Sequence, residues 1–346
     1  MRTVSRTNQR TVPPPIQVGL LGYGTVGSAF VRHTTGPGVP APGVHVKRAL
    51  VRDVRKPRPA GTPPDLLTTD PSDILDDPEI EVVVEVMSGV EPALTYLVTA
   101  LERGKAVITG NKQVVAEGGH ILRRIAKELD VPLCYEASVG AIIPVVHTIQ
   151  KTLAADRVMS LRAVLNGTSN YILERMAVGL PLADAVKEAQ ELGYAEPDPS
   201  DDLSGRDAAW KLAVLFHLMT GDAVDVNDIE VTGIENLEAG EVQRLRSEGQ
   251  VVRLVAAAER GGNGQAKLKV GPEILPLTDP LTQLKGPENG FEVHAEVAGR
   301  LFLAGPGAGP AVTSMALLGD LLQAARLVRA KRSAEEEPMT VKVGSP

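Results

Sequence analysis

The sequence predicts an α/β protein: a parallel sheet with crossover helices, followed by an α+β unit. Three observations carry that expectation. Short apolar runs alternate with amphipathic stretches up to about residue 140, which is the pattern of parallel strands joined by helices. Helical patterns then dominate, and from Val251 onward short alternating runs read as antiparallel strands. The chain has 346 residues, and at roughly 150 residues per domain that makes about two domains.

The elements follow in order. Residues 16–21 are an apolar run that ends at a glycine-rich turn and read as a buried strand. A helix starts over 26–32, a Gly- and Pro-rich loop covers 34–43, and a second strand spans 44–51. Residues 70–75 form a helical turn and 81–87 a third strand. Residues 92–104 are helical, with Ala93, Leu94, Leu97, Val98 and Leu101 on one stripe. A strand at 106–109, a helix at 117–129 and a strand at 132–136 complete the first half. Beyond it, 145–153, 171–178, 182–192 and 203–219 read as helices. Strands are expected at 251–259, 267–270, 291–297 and 301–303, then a last helix at 315–329 and a loose tail over 331–346.

Composition excludes several functions. Lys and Arg number 36 against 43 Asp and Glu, a net charge of −7, so general nucleic-acid binding is disfavoured. Aromatics are only 3%, too few for a base-stacking surface. A single cysteine, Cys134, rules out a disulfide within the chain and makes a cysteine zinc site implausible. No apolar run reaches the roughly 18 residues a membrane span needs, so a cytoplasmic location with no membrane role is expected. Residues 1–15 carry Arg2, Arg6 and Arg10 and no acid, which loosely resembles a transit peptide. Their position and the run Pro13-Pro14-Pro15 favour a disordered arm.

Gly22-Tyr23-Gly24-Thr25-Val26-Gly27 fits G-x-G-x-x-G after a strand and before a helix, the setting that gives the motif meaning. Gly22 allows the tight turn, Gly24 a close pyrophosphate and Gly27 close packing of helix on strand. A Rossmann-type nucleotide domain is therefore expected. At the end of the second strand a carboxylate favours NAD and an Arg favours NADP. Arg52, Arg55, Lys56 and Arg58 outnumber Asp53, which favours NADP(H) over NAD(H). The competing reading is solvated loop charges with Asp53 holding the ribose.

Residues 193–211 concentrate polar chemistry. Asp207 and Lys211 share a helix face at i,i+4, and Lys211 leads an apolar run where an ammonium needs a partner. Glu196, Asp202, Asp207 and Lys211 could hold a substrate ammonium and deliver a proton; the plainer reading is a surface salt bridge beside an acidic loop. Lys112 follows a strand, at the end of a parallel sheet where ligands bind. Residues 166–170 (Asn-Gly-Thr-Ser-Asn) suit a helix cap.

Taken together, the glycine fingerprint, 107–112, 136–144, 166–172, 193–211 and 305–309 resemble homoserine dehydrogenase, in order and across about residues 16–328. The 193–211 block carries most of the specificity. The resemblance implies NAD(P)H-dependent reduction of L-aspartate 4-semialdehyde to L-homoserine, on the route to threonine and methionine. It implies Lys211 as proton donor and Lys112 as a second essential lysine near substrate and cofactor. It implies Glu196, Asp202, Asp207, Tyr194 and Thr168 at the substrate. Gly22, Gly24, Thr25, Val26, Gly27, Arg52, Ser88, Lys112 and Gly307 are the implied cofactor residues. Main-chain oxygens of Glu136, Val139, Ala141 and Ile143 would hold a monovalent cation such as Na⁺, a hard ion suited to oxygen ligands. The sequence departs from the family at Gly110, where Ala is common, and at Ser88, where a second Gly is usual.

The expected organisation is a nucleotide domain of residues 16–140 with 305–330 and a substrate and dimerisation domain of 141–304. A small-molecule substrate and a homodimer or homotetramer are expected. The resemblance leaves no room for an appended regulatory domain, so threonine feedback is not expected. Two alternatives stand beside it: another Rossmann amino-acid dehydrogenase, or an NADP-sensing protein without catalysis.

Overall fold

The structure, a computed structural model, describes residues 14–35, 43–261 and 266–336, the side chains of 334–336 excepted. The chain runs through β1 (Ile16–Leu21), α1 (Thr25–Thr35), β2 (Val44–Leu50), β3 (Leu67–Thr68), α2 (Ser72–Leu75), β4 (Val82–Glu85), α3 (Ala93–Glu102), β5 (Ala106–Thr109), α4 (Lys112–Glu128) and β6 (Leu133–Cys134). It continues with α5 (Val145–His147), β7 (Val158–Val164), α6 (Gly167–Met176), α7 (Leu182–Glu191), α8 (Ser200–Leu203), α9 (Arg206–Thr220), β8 (Glu230–Val231) and α10 (Ala239–Ser247). The strands β9 (Gln250–Arg260), β10 (Ala266–Pro276), β11 (Glu288–Ala295) and β12 (Gly299–Pro306) precede α11 (Pro310–Glu336).

The first six strands form one sheet in the order β3-β2-β1-β4-β5-β6, every pair parallel. Its strands alternate between two apolar cores, as a sheet covered on both faces must. Val82, Val84, Ala106 and Ile108 meet Phe30 of α1 and Leu317 and Leu321 of α11 on one face. Val83 and Val107 meet Leu97 and Leu101 of α3 and Leu122 of α4 on the other. The second sheet runs β12-β11-β7-β9-β10-β8, antiparallel except where β8 joins β10. Helices α6, α7 and α9 pack on it around Leu173, Ala189, Leu212 and Leu215.

Several elements differ from the sequence reading. Helix α4 starts at Lys112 rather than residue 117, because Asn111 caps it by accepting from the N–H groups of Gln113 and Val114. The expected helix 203–219 is cut by Gly205, whose φ of +83° breaks the helical path. Strand β7 is central in the second sheet, although its Met-Ser-Leu-Arg text shows no clean alternation. The strand expected at 132–136 stops at Cys134, and Glu136 opens a one-turn helix instead. The tail expected from residue 331 is helical to Glu336, while the rest of it, nearly all of the expected N-terminal arm and most of the 34–43 loop lie outside the described residues. By length and composition the helix Pro310–Ser333 could cross a membrane, an 18-residue stretch of it having mean hydropathy 1.3, against the expectation that no stretch would qualify. Its apolar side chains account for this: Ala316, Leu317, Leu318, Leu321, Ala324 and Ala325 are buried in the core of the parallel sheet.

Candidate active site

The glycine turn after β1 places its three glycines in three different environments. Gly22 has a φ of +104°, where a side chain would be strained. A Cβ on Gly24 would meet nothing within 4 Å, so its backbone faces open space. A Cβ on Gly27 would lie 2.2 Å from the Gly22 carbonyl oxygen, so only glycine lets α1 approach β1. Thr25 and Val26 open α1, whose free N–H groups and positive dipole end suit phosphate. A cavity of about 470 Å³ lies there, lined by Gly22, Gly24, Arg52, Asp53, Lys56, Arg58 and Ser88 among others. Gly307 does not line this cavity; it lies against Asn289, whose side chain fills the space a Cβ would need.

The charges at the end of β2 are unequally committed. Arg55 donates to the Asp53 carboxylate from its backbone N–H at 2.9 Å and from Nε at 3.1 Å, and these bonds hold Asp53 below its usual pKa. Arg58 braces the turn, donating to the carbonyls of Tyr23 at 3.0 Å and Asp53 at 2.9 Å. Arg52 and Lys56 are exposed and make no ion pair among the described residues.

Two lysines, one at the start of α4 and one on α9, meet on one carboxylate. Asp207, buried near the start of α9, accepts from Lys112 Nζ on Oδ1 and from Lys211 Nζ on Oδ2, each at 2.8 Å. Lys211 also donates to the Leu165 carbonyl at 2.7 Å. Asn166 donates to Asp207 at 2.9 Å and to Asp202 at 2.6 Å. Burial alone would raise the Asp207 pKa, yet the two ammonium groups hold it well below the usual carboxylate range. Burial alone would lower Lys112, but Asp207 and the nearby Asp202 and Asp201 hold it above its ordinary value. Asp202 moves the other way, raised by burial and by its charged neighbour Asp207. The Trp210 ring flanks the cluster, 5.8 Å from Lys112 Nζ, with its indole N–H on Glu117 at 3.2 Å.

The other expected substrate residues sit around this centre in different ways. Thr168 donates to the Tyr194 carbonyl at 2.7 Å, and the Tyr194 ring packs edge-on against Tyr171 at 5.0 Å. Tyr194 and Glu196 are both exposed. Among the described residues the Glu196 carboxylate makes no hydrogen bond or ion pair, while its backbone carbonyl accepts from Gln190 at 3.2 Å.

The loop from Glu136 to Ile143 is buried at Glu136, Val139, Ala141 and Ile143. Ala141 takes a φ of +49°, an uncommon conformation for a side-chain-bearing residue, which turns the chain sharply. The Glu136 carboxylate accepts the N–H groups of Val146 at 2.9 Å and His147 at 2.7 Å, and burial raises its pKa to about 7. Its own N–H donates to Asp320 of α11 at 3.0 Å. Among the described residues no cluster of three or more His, Cys, Asp and Glu side chains is arranged for a metal. The His147 ring lies 3.0 Å from the Glu136 carboxylate, so a cation here would depend on the main-chain oxygens of the loop, a donor set that suits a hard monovalent ion.

Two site residues were not singled out from the sequence. Asn166 was visible as a cap, and it does cap α6 by accepting from Ser169 N–H at 2.8 Å. Its amide nitrogen, which ties Asp202 to Asp207, had no local signature. Glu85 had one: a glutamate inside the apolar text Glu-Val-Val-Val-Glu-Val-Met. It is fully buried at the end of β4, and desolvation raises its pKa to about 7.

A parallel nucleotide sheet with a lysine–carboxylate centre beside its crevice defines an oxidoreductase that acts on a small polar substrate. Known proteins give the family. The homoserine dehydrogenase model matches residues 144–322, and the model for that enzyme's NAD-binding domain matches 22–136. The homoserine dehydrogenase of Bacillus subtilis is 37% identical over 325 residues, spanning 91% of this chain and 74% of that protein. The Corynebacterium glutamicum enzyme is 37% identical over 90% of this chain and 72% of its own length. The Thiobacillus denitrificans homoserine dehydrogenase structure superposes with a TM-score of 0.85 at 35% identity, covering 91% of this chain and 74% of that one. A hyperthermophilic archaeal homoserine dehydrogenase in complex with NADPH gives 0.77 at 26% identity, covering 90% and 98%. The chain belongs to the homoserine dehydrogenase family, NAD(P)-dependent oxidoreductases that act on a CH–OH group.

Proposed function

We propose that this chain interconverts L-aspartate 4-semialdehyde and L-homoserine for threonine and methionine biosynthesis, with Lys211 and Lys112 as its catalytic residues. The observation that carries this reading is the shared carboxylate: one buried Asp207 binds both ammonium groups at 2.8 Å. When bound, the nicotinamide supplies the reducing equivalents that take an aldehyde to an alcohol. The protein must then stabilise negative charge on the carbonyl oxygen and protonate it. Lys211 is anchored on Leu165 and Asp207 and serves as the proton donor. Lys112 lies at the crevice end of β5 and steadies the developing charge beside the cofactor. Asp207 keeps the Lys112 amine protonated and holds the Lys211 amine by its other oxygen. Asp202, Glu196, Tyr194 and Thr168 orient the substrate, whose ammonium suits the two carboxylates.

NADP(H) is the preferred cofactor in this reading. Exposed Arg52 and Lys56, with no ion-pair partner among the described residues, suit a 2′-phosphate, whereas the Asp53 carboxylate is taken by Arg55. Gly22, Gly24, Thr25, Val26, Gly27, Ser88, Lys112 and Gly307 are the remaining cofactor residues. Glu136, Val139, Ala141 and Ile143 hold a monovalent cation such as Na⁺ through main-chain oxygens. Residues 16–140 with 305–330 form the nucleotide domain and 141–304 the substrate and oligomerisation domain. The protein works in the cytoplasm as a homodimer or homotetramer. An edge strand at β12 that exposes Phe302 supports such an interface.

The test is a spectrophotometric assay of homoserine oxidation with NADP⁺ and NAD⁺. Lys211→Ala is expected to lower kcat by at least ~100-fold with the fold intact, the scale of a proton-transfer group. Near-wild-type turnover would remove Lys211 from the role. Arg52→Ala is expected to raise KM for NADP⁺ far more than KM for NAD⁺, and equal effects on both would refute the 2′-phosphate contact.

A further inference from the structure

We infer that Glu85 is a positioning residue that holds the cofactor loop and the Lys112 helix in one register; this rests on the role proposed above for Lys112. Glu85 ends β4 and is 0% exposed. A carboxyl buried inside a sheet is costly unless its oxygens are hydrogen-bonded. No ion pair reaches it among the described residues, and three neutral donors do. The Met87 N–H donates to Oε1 at 2.5 Å, the Thr109 hydroxyl to Oε2 at 2.5 Å and Asn111 Nδ2 to Oε1 at 3.4 Å.

These donors belong to two structures that must agree. Met87 lies in the turn after β4, where Val86, Met87 and Ser88 line the nucleotide cavity. Thr109 ends β5, and Asn111 caps α4, whose first residue is Lys112. Further bonds lace the two together. Thr109 Oγ1 accepts the Asn111 N–H at 3.0 Å, and Asn111 Nδ2 donates to the Gly89 carbonyl at 2.8 Å. The Gly89 N–H donates to the Gln113 side chain at 3.0 Å. The start of α4 therefore cannot shift without disturbing the turn that faces the cofactor. From that start Lys112 reaches the other domain, 2.8 Å from Asp207. A misplacement of about 1 Å at such a point can cost on the order of 100-fold in rate. Glu85 acts through Met87 and Lys112 and need not touch the substrate.

The experiment is a double-mutant cycle on homoserine oxidation. Glu85→Leu fills the volume and removes both acceptors. It is expected to lower kcat about 10- to 100-fold and to raise the cofactor KM several-fold. Glu85→Gln keeps Oε1 as an acceptor for Met87 and is expected to restore kcat to within about 3-fold of wild type. In a Lys112→Ala background Glu85→Leu should cost less than about 3-fold more in kcat, because the group it positions is gone. Thr109→Val, which removes only the hydroxyl, supplies a second cycle if the leucine variant does not fold; its loss of about 5-fold should vanish in the same background. Wild-type kcat in a folded Glu85→Leu enzyme, or equal fold-losses in both backgrounds, overturns the inference and leaves Lys112 in its role. Wild-type turnover in Lys112→Ala overturns that role and the inference with it.

Discussion

Asp207 is the charge on which both lysines depend. With it ionised, Lys112 stays protonated above its ordinary range despite burial. Asp207→Asn removes the charge and keeps the shape, so burial becomes the dominant influence on Lys112 and its pKa falls. The alkaline limb of the kcat/KM profile should then move to lower pH, and kcat should drop by about 100-fold or more. An alkaline limb that stays in place would argue against Lys112 as the titrating group. Much of this centre was legible in the sequence at the level of residue type. Asp207 and Lys211 are paired by helical spacing, and Lys112 is placed by its position after a strand. What was not legible is that Lys112 and Lys211 share one carboxylate, since that contact joins two helices far apart in sequence. Asn166 was hidden for the same reason: its cap is local, and its bonds to Asp202 and Asp207 are tertiary.

At the scale of elements, the glycine turn separates two kinds of constraint that one motif conceals. Gly27→Ala drives a methyl group against the Gly22 carbonyl oxygen, 2.2 Å away, and should destabilise the protein by about 1–3 kcal/mol through overpacking. Gly24→Ala meets no neighbour. Its thermal midpoint should stay near wild type while KM for the cofactor rises, because the added methyl intrudes where the phosphates approach. Thermal unfolding and cofactor titration of the pair check this, and equal destabilisation by both would refute it. Strands β1, β4 and β5 were readable as short, nearly continuous apolar runs, because the sheet is covered on both faces. The start of α4 was missed because its first turn, Lys-Gln-Val-Val, has no helical stripe; the capping Asn111 was the available signal. The interruption of α8 and α9 turns on the positive φ of Gly205, and a lone glycine does not announce that conformation.

At the scale of the whole molecule, α11 joins the far end of the described chain to its beginning. Its Ser314 hydroxyl meets His33 of α1 at 2.7 Å, and Leu317 and Leu321 are 0% exposed against the first sheet. Leu321→Ala should therefore cost about 2–5 kcal/mol, as large-to-small changes in a packed core do. Guanidinium unfolding would measure it, and a loss under about 1 kcal/mol would mean that α11 is not integral to that core. The same arrangement bears on how the protein is made. A ribosome delivers β1 long before α11, and the second sheet with its helices emerges in between. The face of β4, β5 and β6 that α11 covers must wait, uncovered, until the second sheet and its helices have been synthesised. Loop-closure entropy rises only slowly with loop length, so the docking is affordable at equilibrium. In time it is the late step, and the unfinished sheet is where a nascent chain would need shelter from aggregation.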